Sequence, residues 1–348
     1  LQRLTQIREQ WNVKIFEQAS DRFEELALEA FLYQYRLNPV YRAFVEALRV
    51  DPLGVKTLEK IPFLPVSFFK TALVQSTLPA AEKETLPREA GKAAATEELV
   101  FESSGTTGSI PSIHRVTDPG LYELSFERGF ARQFGPAENW CILALLPSYL
   151  ERKNSSLVYM ASRLIAQTKH QSSGFYLHEL NKLRDTLIEL EQKKQPTLLL
   201  GVSFALLDLA VQYPMQLHHT QIIETGGMKG RGPELTREEL HERLQQGFGL
   251  PAVYSEYGMT ELLSQAWSKE KGSFETPPWM RVGIREEQDP LTVRFEGTGA
   301  LNIIDLANID SCCFIATEDN GIVSPSGQFE VRGRIDHAEL RGCSLMTL

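Results

Sequence analysis

Five short apolar runs set the strongest limit on how this chain can fold. ELVF, CILALL, TLLLGV, QIIE and AVYSEY follow one another between Glu98 and Gln265, separated by helix-like segments. Such alternation indicates a largely parallel sheet flanked by helices. One helix start is marked outright: Thr236 and Glu239 form a capping box, with Leu235 and Leu240 placed for a hydrophobic staple. Residues 1–95 read as helix with loops, and Phe23, Leu26, Ala27, Ala30 and Phe31 share one helical stripe. The stretch from Ile61 to Lys70 is apolar but broken by Pro62 and Pro65, so it reads as an extended segment packed on a larger body. After Pro277 come short β-type runs: RVGI, LTVRF, ALNIID, CCFIAT and QFEVRG. The KEKG stretch at Lys271 reads as an exposed turn. The expectation is an α/β fold with a helical entry (1–95), α/β layers (96–270), a β-rich part (271–335) and a short C-terminal tail (336–348).

Charge and cysteine content narrow the functions such a body can serve. The 45 acidic residues outnumber the 36 basic ones, for a net charge of −9, which argues against a general nucleic-acid binder. No apolar stretch approaches the roughly 20 residues of a membrane helix, and no signal-peptide pattern opens the chain at Leu1. Cys141, Cys312, Cys313 and Cys343 show no C-x-x-C spacing, which disfavours a zinc site or a disulfide framework and fits a reducing compartment, the cytoplasm.

The densest chemical signal is FESSGTTGSIPSIHRVTD. A β-type run ending at Glu102 leads into Ser103, Ser104, Gly105, Thr106, Thr107 and Gly108. Glycines allow close backbone approach, and successive amides with Ser and Thr hydroxyls can cradle a phosphate. It is not a Walker loop, since Ser109 follows Gly108 with no Gly-Lys-Ser/Thr ending. SSGTTG resembles the phosphate-binding signature of the adenylate-forming enzymes, the superfamily of acyl-CoA synthetases, firefly luciferase and peptide-synthetase adenylation domains.

Further segments follow in the order which that resemblance requires. Tyr257-Gly258-Met259-Thr260-Glu261 is similar to the YGxTE segment, which implies a tyrosine beside adenine, a threonine on phosphate and a glutamate holding Mg²⁺. An aromatic face suits adenine, and a carboxylate suits a hard cation. Thr225-Gly226-Gly227 resembles the glycine-rich strand end lining the nucleotide and acyl pocket. Thr317-Glu318-Asp319 resembles the TGD element, whose aspartate accepts from both ribose hydroxyls; Glu318 departs from its glycine. Gly333-Arg334-Ile335-Asp336 resembles the GRxD hinge, whose arginine reaches ribose or phosphates.

Within the superfamily, the chain resembles the acyl-protein synthetase (LuxE) family from about Ile61 to Cys343. The match rests on SSGTTG followed by Ser112, His114 and Val116, and on TGGMKGRG, TEDNG and GRIDHAELRGCSL. It implies ATP- and Mg²⁺-dependent activation of a fatty acid or other carboxylate, then acyl transfer to a cysteine near the C-terminus and on to an acyl reductase partner. Cys343, between Gly342 and Ser344 with Arg341 and His337 close in sequence, is the candidate acceptor, because a nearby cation favours the nucleophilic thiolate. Typical relatives carry a small mobile domain with a catalytic lysine after the hinge. Only twelve residues follow Asp336, so neither that lysine nor its domain rotation is expected here. The lysine usual after the phosphate loop is also missing; His114 stands nearby, and Lys229 is the candidate replacement charge or else a solvated loop lysine. Two rival readings are a CoA-ligase-like enzyme using a diffusible thiol, and a non-catalytic subunit that binds nucleotide or acyl groups.

Other constellations are weaker. Gly201-Val202-Ser203-Phe204-Ala205 approximates a nucleophile elbow that His337 could serve, but its fifth position is alanine. The adjacent His218 and His219 do not put two ligands on one helical face and read as surface residues. Cys141, Cys312 and Cys313 sit in apolar runs and read as core thiols.

Overall fold

The computed structural model describes residues 2–77, 99–103, 110–146, 154–176, 179–226, 235–269, 272–286 and 289–335. Helix α1 (Gln2–Leu37) bends at Arg22, whose φ of −124° and ψ of 26° break the helical path. Its expected stripe is in the core: Phe23, Leu26, Ala27, Ala30 and Phe31 are all 4% exposed or less. Asn38 ends this helix and starts α2 (Pro39–Ala47), its side chain accepting from the amides of Val40 and Tyr41 while Pro39 takes the first helical position. Several buried polar groups of this entry reach far along the chain. Trp11 Nε1 donates to the Leu306 carbonyl at 2.8 Å, and Gln34 Nε2 to the Asn308 carbonyl at 2.8 Å. Asn38 Nδ2 donates to the Ser311 carbonyl at 2.7 Å, and Arg8 bridges Asp118 and Asp310.

The Ile61–Lys70 segment is docked as expected but is extended only as far as Pro65; it then turns and enters a short helix. Strand β1 (Leu64–Pro65) runs parallel to β14 (Phe314–Val323). A short helix α3 (Phe68–Thr71) follows it.

Among the described residues one large sheet dominates. Its parallel half holds, in spatial order, β5 (Gly174–Phe175), β4 (Cys141–Leu145), β6 (Thr197–Val202), β7 (Thr220–Thr225) and β8 (Tyr254–Tyr257). Strands β4 and β6 are buried along their whole length, which explains why they read as unbroken apolar runs. The connections run through α5 (Ser156–Gln167), α6 (Leu180–Gln192), α7 (Ser203–Gln212) and α8 (Arg237–Phe248). The capping box at Thr236 and Glu239 forms, and Leu235 and Leu240 both pack on the core.

Pairing turns antiparallel after β8. The sheet continues through β9 (Ala266–Ser268), β10 (Ser273–Glu275), β15 (Phe329–Arg334), β14, β13 (Gly297–Asp305), β11 (Met280–Arg285) and β12 (Val293–Arg294). One expectation is corrected. The ELVF run is not a strand of the parallel sheet: as β2 (Leu99–Glu102) it pairs antiparallel with β3 (Ile113–Val116) in a separate hairpin. Helix α4 (Pro119–Phe134) follows, capped by Asp118, whose carboxylate accepts from the Leu121 amide.

Candidate active site

The hairpin is closed by one residue of the Ser/Gly/Thr string. Ser103 donates its amide to the Ser112 carbonyl at 3.0 Å, and its hydroxyl accepts from the Ser112 amide at 2.8 Å. Ser103 therefore ties the ends of β2 and β3 together, with its oxygen engaged there. Ser104, Gly105, Thr106, Thr107 and Gly108 lie outside the described residues, as do Gly227, Lys229, His337, Arg341 and Cys343.

Across from the hairpin base, β8 ends at Tyr257 and the chain makes a tight turn, with the Leu262 amide on the Met259 carbonyl at 3.1 Å. Glu261 is 4% exposed. Burial raises its pKa above the usual carboxylate range, opposed by a hydrogen bond from the Ser112 hydroxyl and by the charges of Lys70 and Arg334. The turn is fastened from behind. His114 Nδ1 lies 2.8 Å from the Thr260 carbonyl, and Asn308 Nδ2 donates to the Glu261 carbonyl at 2.8 Å. Asp305, fully buried, accepts from the amides of Leu263 at 2.8 Å and Ser264 at 2.9 Å and from the Ser264 hydroxyl at 2.6 Å. His114 is itself 1% exposed, with its other nitrogen 2.9 Å from the Ser311 hydroxyl; burial pushes its pKa down to about 4, so the ring is neutral near pH 7.

Tyr257 turns towards the antiparallel half. Its hydroxyl donates to Asp319 Oδ2 at 2.8 Å, and its ring packs edge-on against Phe329 at 5.3 Å. Asp319 lies inside β14 opposite Arg334 of β15, with 3.8 Å between the carboxylate and Arg334 Nε. Burial raises the Asp319 pKa; the tyrosine hydroxyl and Arg334 counter it. The Arg334 side chain is 83% exposed, so its long-range pairing with Asp319 is weak and leaves the guanidinium accessible. The Thr317 hydroxyl accepts from the Asp319 amide at 3.1 Å and donates to the Leu301 carbonyl at 2.8 Å, which fixes this stretch of strand.

Two acidic residues at the ends of β7 and β8 escaped the sequence reading. Glu224 is buried, yet it stays below the usual range: burial works against its charge, but His241, Arg237 and Ser255 outweigh it. Glu256, bonded to the Thr225 hydroxyl at 2.5 Å, has no cation acting on it among the described residues; burial, with the charge of Glu224, pushes it up to about 7. Gly226 follows at φ +67°, a conformation that favours glycine, and its carbonyl accepts from the Ser203 hydroxyl at 2.7 Å. That bond and its burial leave Ser203 as a tie between α7 and the end of β7, with no nucleophile's exposure. Gly258 is exposed beside Glu256.

The structure thus brings Ser103, His114, Tyr257, Thr260, Glu261, Asp319 and Arg334 to one region. It adds Ser112, Lys70, Asp305, Asn308 and Ser311. Of these only Ser112 carried a sequence signal, its place just after the SSGTTG string. Cys141, Cys312 and Cys313 are buried thiols whose pKa is raised by that burial, and His218 and His219 are exposed. Among the described residues no group of three or more His, Cys, Asp or Glu could hold a metal ion, and no helix is long and apolar enough to cross a membrane.

The chain is similar to the ATP-bound MatB of Rhodopseudomonas palustris (TM-score 0.52, 16% identity) and to an ATP-bound RpMatB-BxBclM chimera (TM-score 0.52, 17% identity). Each likeness covers 68% of this chain and 47% of the solved one, so the chain spans about half the length of the solved structures it matches. At these identities the likeness speaks for the fold alone. A long-chain-fatty-acid–luciferin-component ligase of Vibrio harveyi is 23% identical over 364 residues, covering 97% of this chain and 89% of the relative. The pattern of the acyl-protein synthetases matches residues 13–347, nearly the whole sequence, and the chain belongs to the acyl-protein synthetase (LuxE) family.

Proposed function

We propose that the chain activates a fatty acid with ATP and passes the acyl group, through its own cysteine, to an acyl reductase partner. The carboxylate oxygen attacks the α-phosphorus of ATP, forming the acyl–phosphate bond and releasing pyrophosphate. The Cys343 thiolate then attacks the acyl carbonyl, forming a thioester and releasing AMP. The observation that carries the first step is the convergence of Tyr257, Glu261, Asp319 and Arg334 beside the base of the Ser103 hairpin. The second step is carried by the family match, which extends past Cys343.

Each residue has a place in that reaction. Asp319 and Arg334 suit the ribose and phosphates, with Tyr257 holding the aspartate in position. Ser104 to Gly108 would supply phosphate donors, and Gly226 with Gly227 and Gly258 would leave room for the acyl carboxylate. Thr260 and Lys229 would meet the phosphates or the carboxylate. Glu261 suits Mg²⁺, which is ordinarily held by one or two carboxylates plus substrate phosphates; a single buried carboxylate, bonded to the Ser112 hydroxyl and to its own backbone amide, fits that arrangement. When bound, the cation would neutralise charge developing on the phosphates.

ATP–pyrophosphate exchange over a panel of carboxylates tests the reading. Fatty acids should support exchange, and Glu261→Gln should lower it roughly a hundredfold while the protein stays folded. Cys343→Ser should keep exchange and lose hydroxylamine-sensitive acyl labelling. Exchange at the normal rate in Glu261→Gln would remove Glu261 from the site. CoA-dependent turnover by Cys343→Ser would replace the enzyme-bound thioester with a diffusible one.

A further inference from the structure

The turn that carries Glu261 is held by bonds to its backbone, and the donors come from elsewhere. His114 reaches the Thr260 carbonyl from β3, and Asn308 reaches the Glu261 carbonyl from the connection between β13 and β14. Ser311 lies between the two, 2.9 Å from His114 Nε2 and 3.3 Å from Asn308 Oδ1, and its one hydroxyl proton can go to only one of them. All three residues are 3% exposed or less. Ser112, two residues before His114, bonds to the Glu261 carboxylate and also closes the hairpin on Ser103. Glu261 is thus gripped by its side chain from the hairpin and by its main chain from the β13–β14 connection.

The polarity of these bonds constrains the imidazole. A carbonyl oxygen only accepts, so Nδ1 facing Thr260 must carry the proton; Nε2 is then bare and takes the Ser311 hydroxyl proton, which leaves Asn308 to hold the Glu261 carbonyl independently. With Phe69 packed edge-on at 5.5 Å, neither nitrogen is left open to a reacting group. A general acid or base needs a nitrogen within reach of the proton it moves. His114 has none to spare.

We propose that His114 is a positioning residue, an Nδ1-protonated imidazole that, with Ser311 and Asn308, locks the phosphate-loop hairpin to the Thr260–Glu261 turn so that the two halves of the phosphate site keep one relative placement. This rests on the reading that Glu261 serves the phosphates. A small misplacement of a positioned group can cost on the order of a hundredfold in rate, so rigid fastening of this kind acts on kcat more than on binding.

The test combines spectroscopy with kinetics on the full chain. Long-range ¹⁵N–¹H correlation of histidine-labelled protein at neutral pH should show His114 with Nδ1 protonated and Nε2 bare, the signals assigned by their loss in His114→Phe. In ATP–pyrophosphate exchange, His114→Phe should lower kcat about tenfold or more with KM for ATP changed less than threefold, and His114→Asn, which keeps a donor near the Nδ1 position, should recover most of it. The double variant His114→Phe/Glu261→Gln should be no slower than Glu261→Gln alone. Should His114→Phe fail to fold, Ser311→Ala is expected to lower kcat about threefold to tenfold on its own. Amide hydrogen exchange at Glu261 and Leu262 should quicken in whichever variant folds. A proton on Nε2, equal losses in the Asn and Phe variants, multiplicative losses in the double variant, or unchanged amide exchange would each overturn the inference. A wild-type protein without exchange activity would sink the activation reading, while the tautomer and amide exchange would still decide the fastening.

Discussion

In the parallel half of the sheet, β4 and β6 are buried along their full length, and the site receives only strand ends: Thr225 and Gly226 after β7, Tyr257 and Gly258 at β8. In the antiparallel half the strands themselves carry the site, with Asp319 within β14, Arg334 at the end of β15 and Asp305 closing β13. A parallel strand covered on both faces has only its end free for chemistry, whereas an antiparallel strand can show one face to a ligand. The division of labour follows. The parallel half provides turns that can approach a substrate closely, and the antiparallel half provides side chains already fixed by cross-strand bonds. The turn at Thr260–Glu261 sits where the two meet, and its buried ties run to the antiparallel half and to the hairpin.

The sharpest way to break this comparison is Asp305→Ala. It would strand the buried amides of Leu263, Ser264 and Ala307, each costing about 1–3 kcal/mol when unpaired, for a total loss of at least about 3 kcal/mol in urea unfolding. A loss under about 1 kcal/mol would mean that the parallel half holds the turn unaided. Asp319→Ala comes next. If the antiparallel strands hold the nucleotide, losing charge-assisted bonds of about 1.5–3 kcal/mol each should weaken ATP binding at least about tenfold by calorimetry, with little change in stability. Unchanged affinity would move nucleotide binding elsewhere.

The smallest effect concerns Glu256, on the parallel side. Its pKa is raised on folding from the ordinary 4.5 to about 7, so the stability associated with its protonated form is complete below about pH 4.5 and is lost as the pH rises through 7. Glu256→Gln should therefore match the wild type near pH 4.5 and exceed it by about 1–2 kcal/mol at pH 8. A variant no more stable at pH 8 would show that Glu256 finds a cation or water in solution.

Much of the architecture was legible because apolar runs report burial directly. CILALL, TLLLGV and QIIE became central strands, and the helical stripe from Phe23 to Phe31 became core. The pairing of ELVF was not legible, since its partner lies across a loop and a four-residue run carries no record of which sheet it joins. The candidate site was legible only where motifs cluster residues locally. Tyr257 and Asp319 both stood out, but the bond between them, across 62 positions, did not. Asp305 and Asn308 are single polar residues among apolar neighbours, Ser311 follows Asp310, and nothing local marks any of them as holding a distant turn. Glu224 and Glu256 look alike in sequence. Only the cations around one of them set their charges apart.

The bonds from α1 to the segment around Asn308 bear on how the protein is made. Trp11 waits for a carbonyl 295 residues later, and Arg8 for a carboxylate 302 residues later. At ordinary rates of synthesis that is about 15–60 s during which the first helix has emerged and its partner does not yet exist. Phe31 can pack on Tyr41 of α2 soon after synthesis, but Trp11 and Arg8 must spend that interval without these partners. A segment made some 300 residues before its partner is thus late to find its place, and the backing of the Glu261 turn is completed only after Asn308 and Ser311 have been made.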